Sequence, residues 1–347
     1  MQVVLCGYYG YGNGGDEALL ATLLQMLPKH VSPVVLSGNP AFTESLHGVP
    51  ACDRRQPLAV LKLLRSSQAF IWGGGSLIQD STSALSPWYY CALLLTAQLM
   101  GLKTIAWAQG IGPLNRPQTQ WIARQAFQRC TGISVRDLGS LDWTERWRRK
   151  ATLAPDPVWA LDASQPTTLD PLLPSPRVAV VLRSHPLLTP ERVALITQAL
   201  QDLHAQTQAS IVLVPFQESQ DLAIAQTLHT ALPHISQIIQ SRDPRALKFV
   251  FQSVDLAIAM RLHGLIMAAA EGCRCFGLSY DPKVQRLIED IRCPGLDLAH
   301  LPTESEALTQ QWKEQLHAAP TLSKAQRQAL TQQAEAHAAL LADILQN

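Results

Sequence analysis

The chain carries almost no net charge: in 347 residues, 28 basic side chains oppose 27 acidic ones, for a formal balance of +1. That balance argues against a nucleic-acid-binding surface and against an acidic disordered tail. Charged residues make up only 16% and hydrophobic residues 47%, the proportions of a globular protein with a filled interior. Cysteine pairing is missing too. The seven cysteines form no CxxC pair, and Cys273-Arg274-Cys275 is too tight for a zinc knuckle and has no second pair to complete one. Reduced thiols are expected. Since the carboxylates do not cluster either, no metal site is expected, and no cofactor is expected. Long apolar runs are also absent. The most apolar stretch, residues 91–108, is broken by Gln98, Gly101 and Lys103 and falls short of the ~20 residues that span a bilayer. The opening Met-Gln-Val-Val-Leu has no basic leader pattern, which predicts a cytoplasmic protein. A Trp-rich segment at 143–149, with Arg146, Arg148 and Arg149, could touch anionic lipid at the inner membrane face. Its plainer reading is an amphipathic helix.

What is present is alternation. Short apolar runs at 3–6, 34–36, 69–72, 104–108 and 133–135 read as buried strands. Helical spacing fills 16–27, 57–65, 88–100 and 118–129 between them. Strand–helix alternation predicts a parallel sheet with helices on both faces. A Pro/Ser/Thr-rich stretch near 163–176 then has the composition of a linker. Alternation resumes with strands at 178–182, 211–214, 254–259 and 275–278 and helices at 190–206, 220–232 and 265–271. Residues 304–346 read as two helices. The predicted fold class is α/β: two Rossmann-like domains facing a cleft, spanning 1–165 and 177–300, joined by a linker at 166–176 and followed by C-terminal helices over 301–347.

The most informative segment is Ala259-Met260-Arg261-Leu262-His263-Gly264, where an apolar run meets a helical pattern. On an extended backbone, positions i and i+2 face one side, so Arg261 and His263 would share a pocket at a strand's carboxyl end. Open α/β sheets bind ligands there. Arginine fits a carboxylate or phosphate with its planar fork, and histidine moves protons near neutral pH. Arg183 and His185 repeat the spacing at another predicted strand end. Arg136, beside Asp137, ends a third strand and either reaches the cleft or pairs structurally.

Two glycine-rich loops complete the set. Gly10-Tyr-Gly12-Asn-Gly14-Gly15 formally satisfies G-x-G-x-x-G, which raises a dinucleotide site. Asp16 and Glu17 follow at once, however, and put negative charge where a pyrophosphate needs the positive helix end. A tight turn capped by Asp16 and a sugar- or anion-contacting loop both remain open. Gly73-Gly74-Gly75-Ser76 follows a strand and could bring backbone N–H groups close to a ligand, and the alternative is a plain strand–helix turn. Asp80, just beyond, could accept a proton or a sugar hydroxyl. Ser279-Tyr280-Asp281-Pro282-Lys283 reads as a helix cap at Asp281, with Tyr280 and Lys283 at the rim of an anion pocket if the segment is functional.

The motifs Gly7–Glu17, Gly73–Asp80, Ala108–Pro113, Ser134–Asp137, Met260–His263 and Tyr280–Lys283 occur in that order. As a set they resemble the polysaccharide pyruvyl transferase family, in particular the bacterial branch linked to anchoring surface-layer proteins. The first loop, Asn13-Gly14-Gly15-Asp16, is a mild departure from that pattern. The resemblance implies a GT-B glycosyltransferase-like architecture, phosphoenolpyruvate as donor, and a pyruvate ketal formed across two hydroxyls of a glycan or lipid-linked sugar. On this reading His263 is the proton carrier and Arg261, Arg183 and Arg136 hold the donor's two anionic groups. His185, Tyr280, Lys283, Gly14, Asp16, Gly74, Gly75 and Ser76 line the site, and Asp80 or Asp16 holds the acceptor. The same fold would serve a sugar-nucleotide glycosyltransferase, with Glu218 or Asp221 as ribose contacts, or a glycan-binding protein without chemistry.

Overall fold

The computed structural model describes residues 1–81, 85–165 and 173–346, and it divides the chain into two compact units. The first comprises Met1–Leu161 and Ala329–Asn347, the second Asp162–Gln328. The predicted linker at 166–176 begins after this division, and its residues 166–172 lie outside the described ones.

The first unit contains strands β1 (Gln2–Cys6), β2 (Ser32–Ser37), β3 (Ala51–Asp53), β4 (Ala69–Trp72), β5 (Gly75–Ile78), β6 (Lys103–Ile111), β7 (Gly132–Val135) and β8 (Thr152–Leu153). Among them lie α1 (Gly14–Met26), α2 (Pro40–His47), α3 (Pro57–Arg65), α4 (Ser86–Leu99), α5 (Pro117–Gln128) and α6 (Leu138–Arg146). The sheet runs β3-β2-β1-β4-β6-β7-β8, with β5 paired to β6, and the pairs are parallel. The strands are apolar and buried because helices cover the sheet. Phe70 and Trp72 of β4 and Phe127 of α5 are fully covered.

The second unit holds β9 (Arg177–Val181), β10 (Ser210–Leu213), β11 (Ser236–Ile238), β12 (Leu256–Ala259), β13 (Arg274–Ser279) and β14 (Gly295–Asp297). Its helices are α7 (Pro190–Thr207), α8 (Glu218–Ala231), α9 (Pro244–Val250), α10 (Leu262–Ala270), α11 (Pro282–Asp290) and α12 (Ser305–His317). The strand order β11-β10-β9-β12-β13-β14 is the Rossmann order, all parallel. Prolines sit in the first turn of α2, α3, α4, α5, α7, α9 and α11, where a missing N–H costs nothing.

The structure revises several predicted elements. The C-terminal stretch forms three helices: α12, α13 (Lys324–Ala334) and α14 (Ala336–Ile344). They belong to different units, since α12 packs on α7 and α14 on α1, β7 and β8. His337 anchors α14. Its Nε2 donates to the Pro155 carbonyl and its Nδ1 accepts from the Ser134 hydroxyl, both at 2.9 Å. The three glycines at 73–75 do not open a helix but lead into β5, and β6 runs on past the predicted end at 108 to include Gln109, Gly110 and Ile111. Both extensions follow from burial: in the interior, the backbone groups of these residues need ladder partners.

All seven cysteines are free thiols, and burial pushes those of Cys6, Cys91 and Cys130 up to about 12. No helix of the described residues is long and apolar enough to cross a membrane.

Candidate functional site

In each sheet the strand order reverses beside the first strand, between β1 and β4 in one unit and between β9 and β12 in the other. Loops diverge at such a point and leave a crevice at the carboxyl ends of the strands. The candidate residues fall into two groups, one at each reversal.

In the second unit, Arg183 and His185 follow β9, Arg261 and His263 follow β12, and Tyr280 and Lys283 follow β13. Arg261 and His263 do not share an extended segment. Arg261 has extended angles (φ −84°, ψ 130°) and caps α10, whereas His263 already lies in the first helical turn. The helix begins earlier than predicted because Leu262 and His263 adopt helical geometry directly after the strand.

The arginines differ in what surrounds them. Arg261 is buried and its fork is occupied: Nε and Nη2 donate to Asp221 at 2.8 and 2.6 Å. Asp221 also accepts the N–H groups of Phe216 and Gln217, both at 2.9 Å. The expected bidentate clamp on a ligand therefore closes on an internal carboxylate, leaving Arg261 only its Nη1 edge. Arg183 has no carboxylate partner among the described residues. Its Nη2 donates to Gln220 Oε1 at 2.7 Å and its Nη1 to the Tyr280 hydroxyl at 3.0 Å. Gln220 and Asp221, adjacent in the first turn of α8, thus hold the two arginines, one through a neutral amide and one through a charge. Of the two arginines, Arg183 is the one that no described carboxylate neutralises.

His185 packs on Tyr280 with ring centroids 4.7 Å apart, and its Nδ1 accepts the Leu187 N–H at 3.2 Å. In the neutral ring the proton therefore sits on Nε2. Burial, and then the Arg183 charge, hold its pKa below the usual 6.5. Asp281 caps α11 by accepting the Lys283 N–H at 2.7 Å, as predicted. The two ribose candidates are both engaged, Asp221 by Arg261 and Glu218 by Arg242 at 3.0 Å.

In the first unit the glycine-rich loop after β1 is organised by residues other than those expected. Asn13, not Asp16, caps α1: its side chain accepts the Gly15 N–H and donates to Asp16 at 2.5 Å. Gly14 is the first helical residue. The fully buried Glu17 accepts the Gly10 N–H at 2.9 Å and pairs with His47 at 3.1 Å. Gly10 needs its positive φ of 81°, and a side chain there would strike Ser37 and Asn39. Gly74 is close-packed, as a Cβ would come within 3.1 Å of Leu19 and 3.2 Å of the Ala108 carbonyl. Gly75 has φ 125°, and Asp16 Oδ1 lies 3.6 Å from where its Cβ would stand. Asp16 and Gly75 are thus brought together where β1 and β4 diverge.

Three expected participants are internal struts. Arg136 donates to Asp156 and to the Ser76 hydroxyl, both at 2.6 Å, so it is neither a free cation nor is Ser76 a free hydroxyl. Asp80 accepts the N–H groups of Asn115 and Arg116, both at 2.8 Å. Burial opposes its charge, but these bonds and the Thr119 side chain outweigh it and keep its carboxyl below the ordinary range. A carboxylate held this way is a loop anchor rather than a base. The Trp-rich segment is helical only to Arg146: Trp147 is buried against Phe127, Arg148 turns back at φ 56°, and Arg149 donates to the Cys130 carbonyl.

Arg54, which the sequence reading passed over, ends β3 beside this loop. It donates to the Gly7 carbonyl at 3.0 Å and to the Tyr90 hydroxyl at 3.2 Å, and it stacks over Tyr89. Nothing in its spacing marks it, because Gly7, Tyr89 and Tyr90 are brought to it only by the fold. Among the described residues no group of three or more potential metal ligands gathers.

A family model described as polysaccharide pyruvyl transferase matches residues 13–282, most of the chain. A search of curated proteins returns no match. Among solved structures, a protein described as a UDP-N-acetylglucosamine 2-epimerase from Listeria monocytogenes is similar with TM-score 0.66 and 10% identity, covering 97% of this chain and 94% of that one. A glycosyltransferase from Rickettsia africae is similar with TM-score 0.60 and 11% identity over 100% and 99%. MurG of Acinetobacter baumannii is similar with TM-score 0.51 and 13% identity over 98% and 95%. At such identities the likeness concerns fold alone, and the fold is the GT-B type of paired Rossmann-like units.

Proposed function

Since the chain belongs to the polysaccharide pyruvyl transferase family, we propose that it transfers the pyruvyl group of phosphoenolpyruvate to two hydroxyls of a cell-surface glycan or its lipid-linked precursor, with the second unit binding the donor. The observation that supports this reading is Arg183, a guanidinium with no carboxylate partner among the described residues, at the β9/β12 reversal, with His185 after β9 and His263 in the first turn of α10. Phosphoenolpyruvate presents a carboxylate and a phosphate on three carbons and needs close cationic groups. Arg183 supplies the net charge. Arg261 adds its remaining Nη1 edge, and Lys283 a further cation at the rim. The first turn of α10 contributes backbone N–H groups and the positive end of its dipole.

The reaction begins with protonation of the donor's methylene carbon, which becomes a methyl group and leaves C2 electrophilic. One sugar hydroxyl adds to C2 and gives up its proton. A second hydroxyl then displaces phosphate, closing the ketal and releasing inorganic phosphate. His263 is assigned the proton transfers, with neutral His185 donating from Nε2 to the donor's oxygens. On this reading the glycan serves surface-layer anchoring, and the reaction runs at the cytoplasmic face of the membrane. The sugar-nucleotide alternative would have to draw its ribose contacts from Asp221 and Glu218, which are paired with Arg261 and Arg242.

The test is phosphate release from phosphoenolpyruvate with a candidate glycan, with mass spectrometry of the product for the ketal. His263→Ala should lose on the order of a hundredfold or more in turnover. Turnover close to wild type would remove His263 from the chemistry. Release of nucleotide from a sugar nucleotide, with none of phosphate from phosphoenolpyruvate, would overturn the donor assignment.

A further inference from the structure

We propose that Tyr8, Tyr11 and Arg54 form a binding subsite for a sugar that carries a negative charge. Its role as the acceptor subsite rests on the pyruvyl-transfer reading above, but the binding itself does not.

Tyr8 and Tyr11 belong to the loop between β1 and α1. Their rings stack with centroids 4.3 Å apart and an interplanar angle of 15°. The intervening Tyr9 is fully buried, yet Tyr8 and Tyr11 remain 37% and 41% exposed. The absence of a side chain at Gly38 makes the arrangement possible, since a Cβ there would lie 2.5 Å from Tyr11 Cζ and 2.8 Å from both Cε atoms. The chain thus builds a firm aromatic surface and leaves it in water. Two stacked rings held in solvent at the carboxyl end of β1 are a ligand platform rather than core. Aromatic faces are electron-rich and attract the polarised C–H face of a pyranose.

Arg54 gives this platform its charge preference. Its guanidinium lies 4.5 Å from the Tyr89 ring centroid, 5.1 Å from Tyr90 and 6.0 Å from Tyr11. Nη1 donates to the Gly7 carbonyl and the Tyr90 hydroxyl, and the Tyr89 hydroxyl also bonds to the guanidinium, so three of its five N–H donors at most are taken. No described carboxylate pairs with it, whereas the neighbouring Arg55 is held by Asp53 at 3.0 Å. A half-buried guanidinium fixed by aromatic rings and a backbone carbonyl, with donors left over, is pre-oriented for an incoming anion. Asp16, in the first turn of α1 directly after this loop, accepts from the Asn13 amide and has further lone pairs for a sugar hydroxyl. A pyranose on the tyrosines with its phosphate or carboxylate toward Arg54 satisfies all three elements at once.

The experiment uses the full chain and saturation-transfer difference NMR with glucose, glucose 1-phosphate and glucuronic acid, alongside uridine monophosphate. The charged sugars should bind about tenfold or more tighter than glucose, and Tyr8→Ala and Arg54→Gln should each weaken them by about tenfold or more. Preference for the phosphate points to a glycosyl phosphate acceptor, and preference for the carboxylate to a uronic acid. Phosphoenolpyruvate binding should be unchanged in both variants. If Arg54→Gln fails to fold, the surface substitution Tyr8→Ala decides. Charged sugars bound equally by wild type and Tyr8→Ala would overturn the proposal, as would uridine monophosphate binding in their place. Loss of the sugar effect with intact phosphoenolpyruvate turnover sinks this subsite alone. Sugar binding as stated, with no use of phosphoenolpyruvate, sinks the pyruvyl-transfer reading and leaves the subsite.

Discussion

A single carboxylate decides which arginine is available for an anion. Asp221 takes two hydrogen bonds from Arg261 and two from backbone amides, all in the interior. Breaking a buried pair leaves an uncompensated charge, so Asp221→Ala should destabilise the protein by about 3–5 kcal/mol, read as a lower denaturation midpoint. If the midpoint barely moved, the pair would not be the support described. Arg183 should behave the other way. Arg183→Gln leaves no carboxylate behind, so stability should change little while donor binding weakens by roughly 10–100-fold, as for loss of hydrogen bonds to a charged group. Titration calorimetry with phosphoenolpyruvate separates the two. Unchanged affinity would take Arg183 out of the donor site.

At the scale of elements, close packing sets the tolerances. Gly73 lies where a methyl group would collide with the buried Tyr9 side chain, so Gly73→Ala should cost about 1–3 kcal/mol in thermal or chemical denaturation. Helix α14 is tied to the first unit through His337, whose pKa burial lowers below 6.5 against the pull of the Pro155 carbonyl and Asp156. The sign follows from the neutral ring. A depressed folded-state pKa means that protonation favours the unfolded chain, so this stabilisation is complete above 6.5 and declines as pH falls below it. His337→Gln, which keeps one donor and one acceptor, should flatten that decline in a comparison of melting temperatures between neutral and mildly acidic pH. An identical slope in wild type and variant would clear His337 of the effect.

For the molecule as a whole, the proposed reading assigns the two ligands to different units, one at each strand-order reversal. Phosphoenolpyruvate should shift the methyl resonances of Ile258 and Ile266 and leave those of Ile71 and Ile78 in place, and charged sugars should do the reverse. Donor-induced shifts confined to Ile71 and Ile78 would exchange the assignments. Much of this plan was legible in the chain. The predicted strands coincide with β1, β4, β7, β9, β10, β12 and β13 to within two residues at either end, because buried parallel strands are continuous apolar runs. The short strands β3, β8, β11 and β14 escaped notice, since two or three residues carry no period.

The sequence by itself determined the fold class, the family pattern and the strand ends at which the Arg-x-His pairs stand. Those properties are local, written in apolar runs, glycines and prolines that act on their immediate neighbours. Only the tertiary structure decided which of the named side chains are open to a ligand. Asp221 is 40 residues from Arg261 and Asp156 is 20 from Arg136, and nothing in the spacing announces either pair. A charge is neutralised by whatever the fold brings within about 3 Å of it. That is why Arg136 became a strut, Arg261 a half-open fork, and Arg183 the cation of the site, while Arg54 and its tyrosines surfaced without a motif.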